Sequence, residues 1–323
     1  MRSTTRVPAL GCRFVDALAG LLDGVRARGA FVLRLSLDPP WAMRIQDEAP
    51  LTLICQTHGR AVITAADGPP AWLAAGDIAV ARGIRHYVFA DSPGTAPQVV
   101  IHPGQRCTTP AGADLRFEMT LGVRTWGNSS NGEHRCVIGA YEGRSAVSAR
   151  LLDTLPALVV IRAQDWDSPL VDLLAVEAGR DGEGQEVFLD RLLDLLLIGA
   201  LRTWFDNTEA APPWWRAGTD ELVGPVLRLI YHQPEQPWTV ASLAGAVGCS
   251  RAVLARRFTE SVGEPPISFL TGWRLALAAD LLRAGEDTIA AVARQVGYST
   301  PFAFSSAFKR AYGISPNAHR RAV

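Results

Sequence analysis

The spacing of apolar positions changes twice along this chain. From Phe31 to about Arg124 they come in short or alternating runs broken by turn residues: FVLRLSL, LTLICQTHG, AVITAADGPP, WLAAGD, IAVARGIRH, YVFADSPG and VVIHPG. Such regular spacing predicts an antiparallel sandwich or small barrel. Ahead of it, Phe14, Leu18, Leu21, Leu22 and Val25 recur at helical spacing up to Gly29. After the Gly-rich stretch from Gly127 to His134, CVIGAY from Cys136 reads as one more strand, and the period then becomes helical. PLVDLLAVEAG and EVFLDRLLDLLLIGALRTWF, parted by RDGEG, predict a helical hairpin. On its second arm Phe188, Leu192, Leu195, Leu196, Leu201 and Phe205 share a face widened by Leu193, Leu197 and Trp204, more apolar surface than one contact covers, which favours pairing with a second subunit over packing wholly on its own barrel. The Pro-rich, polar segment 206–219 predicts a linker.

The second change lies beyond that linker, where a helical unit occurs twice. At an offset of 49, TVASLAGAVGCS (Thr239 to Ser250) and TIAAVARQVGYS (Thr288 to Ser299) are identical at six of twelve positions, including the Thr that opens and the Gly that ends the helix. Thr239 is placed to cap the first helix, Gly248 to supply the positive φ of a tight turn, and Ser250 to cap the next helix. There Leu254 and Phe258 face inward, leaving Arg251, Ala252, Ala255, Arg256 and Thr259 outside. The second unit repeats the scheme with one extra turn residue: Ser299 is the expected cap and Phe304 and Phe308 pack inward. Thr300, Pro301, Phe302, Ser305, Ser306, Lys309 and Arg310 are left outside. Between the units, Ile267 to Gly285 reads as one helix about 28 Å long. A duplicated helix-turn-helix on such a rod predicts two recognition helices in successive major grooves of double-stranded DNA. Arg256 is the expected base reader, because a guanidinium can bond guanine O6 and N7 together. The second helix, with Phe302 for thymine methyls and its serines and cations for phosphates, is expected to position more than to specify.

Composition narrows this reading. A length of 323 residues suits two or three domains. The longest apolar run, LLDLLLIGAL, is interrupted by Asp194, and residues 1–12 hold no apolar block before a small-residue cleavage site. No membrane association and a cytoplasmic location are therefore expected. Formal charge is zero overall but unevenly spread: residues 219–323 carry 11 Lys and Arg against 8 Asp and Glu, which puts the basic excess where phosphate contacts are predicted. The five cysteines, Cys12, Cys55, Cys107, Cys136 and Cys249, are odd in number and form no CxxC pair, a reduced, intracellular pattern.

Residues 220–323 resemble the DNA-binding domain of the AraC/XylS family of bacterial transcription regulators. The resemblance is carried by SRAVLARRF, the GEPP turn at Gly263 to Pro266, FLTGWRLALAADLL, IAAVARQVGYS and AFKRAYGISP. One departure is His319, where the closing motif usually has an aromatic, often Tyr; His319 is expected to fill the same packing position. Residues 30–125 are similar, less specifically, to the cupin-like sensor domain of many such regulators. The anchor is WLAAGDIAVARGIRHYV, with Gly76, Asp77, Gly83 and His86 at the pattern's positions. The resemblance implies an α+β multidomain chain: a cupin-like antiparallel β-barrel over 1–150, a helical hairpin for dimerisation over 151–205, the linker over 206–219, and an all-α domain with two helix-turn-helix units over 220–323. It also implies a small-molecule effector, a homodimer and, for an activator, contact with RNA polymerase.

A metal-dependent cupin would add an HxH and a downstream Glu, since one imidazole cannot hold an ion. No HxH occurs, and His58, His86, His102 and His134 are isolated. Neither a metal, a cofactor nor a catalytic residue is assigned. The candidates for lining an effector pocket are Phe31, Trp41, Trp72, His86 and Tyr87, although aromatic residues on strands are ordinarily core. Three alternatives stay open: a metal-dependent cupin enzyme fused to a DNA-binding domain, an architectural DNA binder without effector, and a redox sensor. The last would act through Cys107, which lies beside Arg106 in a turn-rich segment.

Overall fold

The computed structural model describes residues 30–65, 68–83, 86–141, 153–166, 168–209, 211–285 and 287–321. The helix expected from Phe14 to Gly29 lies outside them, as does Cys12. The chain divides into two compact units between Pro212 and Pro213, inside the segment expected as a linker.

The N-terminal unit is β-rich and cupin-like. One sheet has seven strands in the order β10-β11-β1-β12-β3-β6-β13: β1 (Phe31–Leu37), β3 (Leu51–His58), β6 (Ile78–Arg82), β10 (Thr120–Gly122), β11 (Thr125–Gly127), β12 (His134–Tyr141) and β13 (Leu158–Ile161). The other has six in the order β5-β4-β7-β2-β8-β9: β2 (Ala42–Ile45), β4 (Arg60–Ala65), β5 (Ala71–Ala74), β7 (Tyr87–Ala90), β8 (Val99–His102) and β9 (Arg106–Thr108). Among the described residues no hydrogen-bonded strand pair joins the sheets, so the closed barrel is replaced by the other form the spacing allowed, two facing sheets. The pairing is not wholly antiparallel either, because β1 with β11 and β2 with β8 run parallel. Residues Leu158–Ile161 fall in the stretch expected as hairpin, yet this short β-branched run forms β13 by pairing antiparallel with β6.

β3 is buried over its first six residues because both faces of its sheet are covered. On the inner face Ile54, Leu35 and Cys136 share a core with Met43, Ile63 and Phe89 of the opposite sheet. On the outer face Gly139 pairs with Leu53 and Val32, and a Cβ at Gly139 would run into both δ-carbons of Leu193. That glycine lets the hairpin of α1 (Leu170–Ala178) and α2 (Gln185–Asn207) lie close against the sheet. The wide apolar stripe of α2 thereby covers its own sheet: Leu189, Leu192, Leu193, Leu196, Leu197, Leu201 and Phe205 are buried. Phe188 and Leu195, expected in the same row, are instead 47% and 50% exposed.

The turn between β5 and β6 has Gly76 at φ +88°, which a side chain would strain. The Asp77 that follows is 3% exposed. Its carboxylate accepts the Ala74 N–H at 3.0 Å, the Ala163 N–H at 2.9 Å and Nη1 of Arg162 at 2.8 Å. It thereby ties the chain leaving β13 back to this turn.

The C-terminal unit is all helical: α3 (Pro213–Gly218), α4 (Val223–His232), α5 (Val240–Ala246), α6 (Arg251–Val262), α7 (Pro266–Ala284), α8 (Ile289–Gln295), α9 (Pro301–Tyr312) and α10 (Pro316–Arg321). α3 occupies the second half of the expected linker and buries Trp214 and Ala217; Pro213 opens it at a position where proline is preorganised for a helix. α7 serves both repeated units. Trp273 and Phe269 pack edge-on against Tyr231, at 4.8 and 5.8 Å between ring centres, and Phe269 meets Phe258 of α6 at 5.8 Å. Arg274 donates to the carbonyls of Pro234 and Gln236, both at 2.6 Å, from the face that also abuts Gly297 in the second unit's turn.

Replacing Asp77 by Ala removes the acceptor of the Ala74 and Ala163 N–H groups and of Arg162, and should destabilise the N-terminal unit by about 2 kcal/mol. Arg162→Ala should cost less, because the arginine side chain is 47% exposed. Urea unfolding of the two variants checks the order.

Candidate functional site

The two repeated units are built by the same local devices. Thr239 Oγ1 accepts the Ser242 N–H at 3.0 Å and Thr288 Oγ1 accepts the Ala291 N–H at 3.1 Å, each closing the first turn of its helix. Gly248 and Gly297 make the turns at φ +71° and +83°. Ser250 Oγ then accepts the Val253 N–H at 3.3 Å and caps α6. In the second unit the cap is not Ser299 but Thr300, which accepts the Ala303 N–H at 3.2 Å. The extra turn residue moves the register from 49 to 50. Ser250 then corresponds to Thr300, Leu254 to Phe304, Phe258 to Phe308, and Gly263 to Gly313, and all four apolar partners are fully buried.

Once the inward row is fixed, the outward row follows. On α6, Arg251, Ala252, Arg256 and Thr259 are exposed and Ala255 is half-buried. On α9, Pro301, Phe302, Ser306, Lys309 and Arg310 are exposed and Ser305 is half-buried. Thr300 is exposed, but its hydroxyl oxygen is engaged in the cap. Thr259 likewise donates its hydroxyl to the Ala255 carbonyl at 2.8 Å. Phe302 is 82% exposed, an uncommon placement for a phenyl ring.

Arg256 and Arg257 are neighbours in sequence with different surroundings. Arg257 donates Nε and Nη2 to Asp220 Oδ2 at 3.2 and 2.9 Å. Burial alone would raise the Asp220 carboxyl, but the Val223 and Leu222 N–H groups and Arg257 outweigh it and hold it below the ordinary carboxylate value. Arg256 has no hydrogen bond or ion pair among the described residues, so its guanidinium fork is open to an outside acceptor.

Two cavities lined by described residues lie between the sheets of the N-terminal unit. The larger, about 300 Å³, is lined by Leu37, Trp41, Met43, Leu115, Met119 and Trp126 among others. A smaller one of about 50 Å³ is lined in part by Phe31, Tyr87, Cys107 and again Met43 and Trp126. Of the five aromatic and histidine candidates, Trp41 lines the first cavity and Phe31 and Tyr87 line the second. Trp72 and His86 line neither. Trp72 lies on edge strand β5 under the guanidinium of Arg60, 5.1 Å from the ring centre, and His86 is exposed ahead of β7. Alternation along a strand separates its faces but does not say which face looks inward at a sheet edge. Leu115 and Met119 lie outside any strand and Trp126 on a strand of three residues, so none of them showed a strand-like pattern.

The donor set does not fit a cupin metal. Among the described residues no three His, Cys, Asp or Glu side chains cluster as ligands. His134 Nδ1 accepts from Trp41 Nε1 at 2.9 Å, and His102 Nε2 lies 2.9 Å from Thr108 Oγ1. Nor does Cys107 meet the needs of a sensor thiol: burial raises its pKa, Asp114 adds to this, and the opposing pull of Arg116 does not cancel them. The redox alternative drew on the neighbouring Arg106, whereas half-burial on β9 sets the direction of the shift. Cys55, buried in β3, is pushed up to about 12 by burial. No helix of the described residues is long and apolar enough to cross a membrane.

Residues 16–206 match the model of a family described as Cupin, and residues 243–322 match a helix-turn-helix domain family. A putative AraC-like transcription regulator of Streptomyces antibioticus is 34% identical over 191 residues, 57% of this chain and 62% of the relative. The chain thus spans less than two thirds of that relative's length. The HTH-type transcriptional regulator AlkR of Acinetobacter baylyi is 27% identical over 314 residues, 95% of this chain and 99% of the relative. Among solved structures, the C-terminal domain of AraT, a response regulator from Geobacillus stearothermophilus, is 33% identical and covers 32% of this chain and 87% of that one, with a TM-score of 0.31.

His319, 8% exposed, lies 5.3 Å from the Phe308 ring and 5.6 Å from the Tyr312 ring. Burial, then the charge of Arg283, lowers its pKa below the ordinary 6.5. The unfolded chain therefore takes up the proton first, and stability present above about 6.5 is lost as the pH falls toward the folded value. Scanning calorimetry of the full chain at a series of pH values should show a shallower acid slope in His319→Tyr than in the native protein.

Proposed function

From a chain that belongs to the cupin family over residues 16–206 and to the AraC-type regulators through its helix-turn-helix domain, we propose a sequence-specific DNA-binding transcription regulator. In this reading it acts in the cytoplasm, has no enzymatic activity, and answers to a small molecule held by the cupin-like unit. The observation that carries the reading is the outward row of α6: Arg256 is exposed and unengaged on a helix whose opposite face is locked by Leu254 and Phe258. Two such helices, held by the single helix α7, suit successive major grooves of a duplex.

The two halves divide the work. α6 presents Arg251 and Arg256 and sets sequence preference through guanine edges. α9 presents Phe302 to thymine methyls, with Ser305 and Ser306 beside it and Lys309 and Arg310 for phosphates, and mainly fixes position. Arg257 takes no part, being held by Asp220. The regulator pairs with a second copy through the remaining apolar surface of the hairpin, where Phe188 and Leu195 on α2 and Val176 on α1 are all about half exposed.

Arg256→Ala should lower affinity for the cognate site by roughly tenfold or more while changing affinity for random DNA far less. Lys309→Ala should weaken both by a similar factor and reduce the salt dependence by about one phosphate contact. Fluorescence anisotropy on cognate and scrambled duplexes checks both, and equal losses from the two variants would remove the division of labour. For the dimer, analytical ultracentrifugation should find Phe188→Glu shifted toward monomer relative to the native chain.

A further inference from the structure

Two indole rings line the larger cavity between the sheets, and only one has its N–H engaged. Trp41 donates from Nε1 to His134. Trp126, on β11, is 6% exposed and forms part of the wall of both cavities, yet its Nε1–H meets no acceptor among the described residues. An indole N–H is a donor only and ordinarily finds a partner when buried. Three polar side chains, Gln98, Thr109 and Asn128, join Leu37, Met43, Val99, Leu115 and Met119 in the lining, and none of them accepts from this N–H.

The acceptor oxygens of the other polar side chains in the larger cavity are engaged by backbone N–H groups. Gln98 Oε1 accepts the Ala42 N–H at 2.8 Å, and Thr109 Oγ1 accepts the Ala113 N–H at 3.1 Å. Asn128 accepts the Asp38 N–H at 2.8 Å and donates to the Asp38 carbonyl at 2.9 Å. No charged side chain lines this cavity. In the smaller one the single carboxylate, Asp47, accepts the Ala49 N–H at 3.2 Å. A carboxylate or ammonium entering this space would lose its hydration with no counter-charge to replace it. A volume near 300 Å³ is at the small end of ligand pockets.

From this geometry we infer that the ligand of the cupin-like unit is an uncharged molecule with a mostly apolar body and one hydrogen-bond acceptor, a carbonyl, ether or hydroxyl oxygen, which takes the Trp126 Nε1–H. The inference rests on the sensor reading proposed above and names the class of molecule sensed. Trp126 is the group that tells an oxygenated ligand from a bare hydrocarbon, and the uncharged wall rejects the corresponding acid.

The test is calorimetric titration of the full chain with three probes of similar shape: 2-acetylnaphthalene, the hydrocarbon 2-isopropylnaphthalene and the anion 2-naphthoate. The ketone should bind roughly tenfold more tightly than the hydrocarbon, and the anion should give no measurable binding. Trp126→Phe should remove the ketone's advantage over the hydrocarbon, with circular dichroism and the melting temperature showing that the variant is folded. An anion that binds as well as the ketone, a ketone indifferent to Trp126→Phe, or a ketone that does not bind would overturn the inference. A parallel anisotropy measurement separates this from the parent reading. Ketone binding without any change in affinity for the cognate duplex counts against the sensor alone. Operator binding by a chain that takes none of the probes counts against the ligand class alone.

Discussion

Helix α7 is the constraint on which the C-terminal unit depends, because it contributes to the cores of two helix-turn-helix units at once. Its first half carries Phe269 and Trp273 into the aromatic cluster with Tyr231 and Phe258. Its second half carries Ala279 and Leu282, fully buried near the chain's closing helix. A helix buried on opposite sides cannot rotate toward one core without leaving the other. The rotational setting of α6 and α9 is thereby fixed as a pair, and with it the side of each helix that looks outward. Arg274 adds a polar lock, bonding the loop before α5 while abutting the turn before α9.

The cupin-like unit solves a different packing problem. Its seven-stranded sheet is covered on the outside so closely that Gly139 admits no side chain under Leu193, while on the inside the facing sheets leave space around Trp126 and Met43. The carboxylate of Asp77 contributes at the rim, where it joins the Gly76 turn to the strand exit with charge-assisted hydrogen bonds.

Much of the C-terminal half was legible from local chemistry. Leu254 and Phe258 four apart, Ser250 before them and Gly248 before that each act within a turn of the helix, so the residues alone determine which side faces in. Ser299 against Thr300 shows the margin of such reasoning: both are good caps, and the choice was made by which one lets Phe304 and Phe308 reach the core. The N-terminal half was less legible, since strands with three or four residues have too few alternations to show a face. The stripe on α2 is apolar as its spacing indicates, and both readings of its width find support: most of its leucines are buried in their own unit, while Phe188 and Leu195 stay half exposed.

The sequence by itself determined the duplicated unit, its caps and turns, the unevenly placed charge and the absence of an HxH, because each depends on residues close together in the chain. Only the tertiary structure decided that Arg257 is held by Asp220 while Arg256 is not, that His86 and Trp72 lie outside the cavities, and that Trp126 stands inside with its N–H unpaired. Those outcomes turn on which distant segments come to lie beside a side chain. An environment of that kind is assembled by packing and leaves no period, motif or composition to be read along the chain.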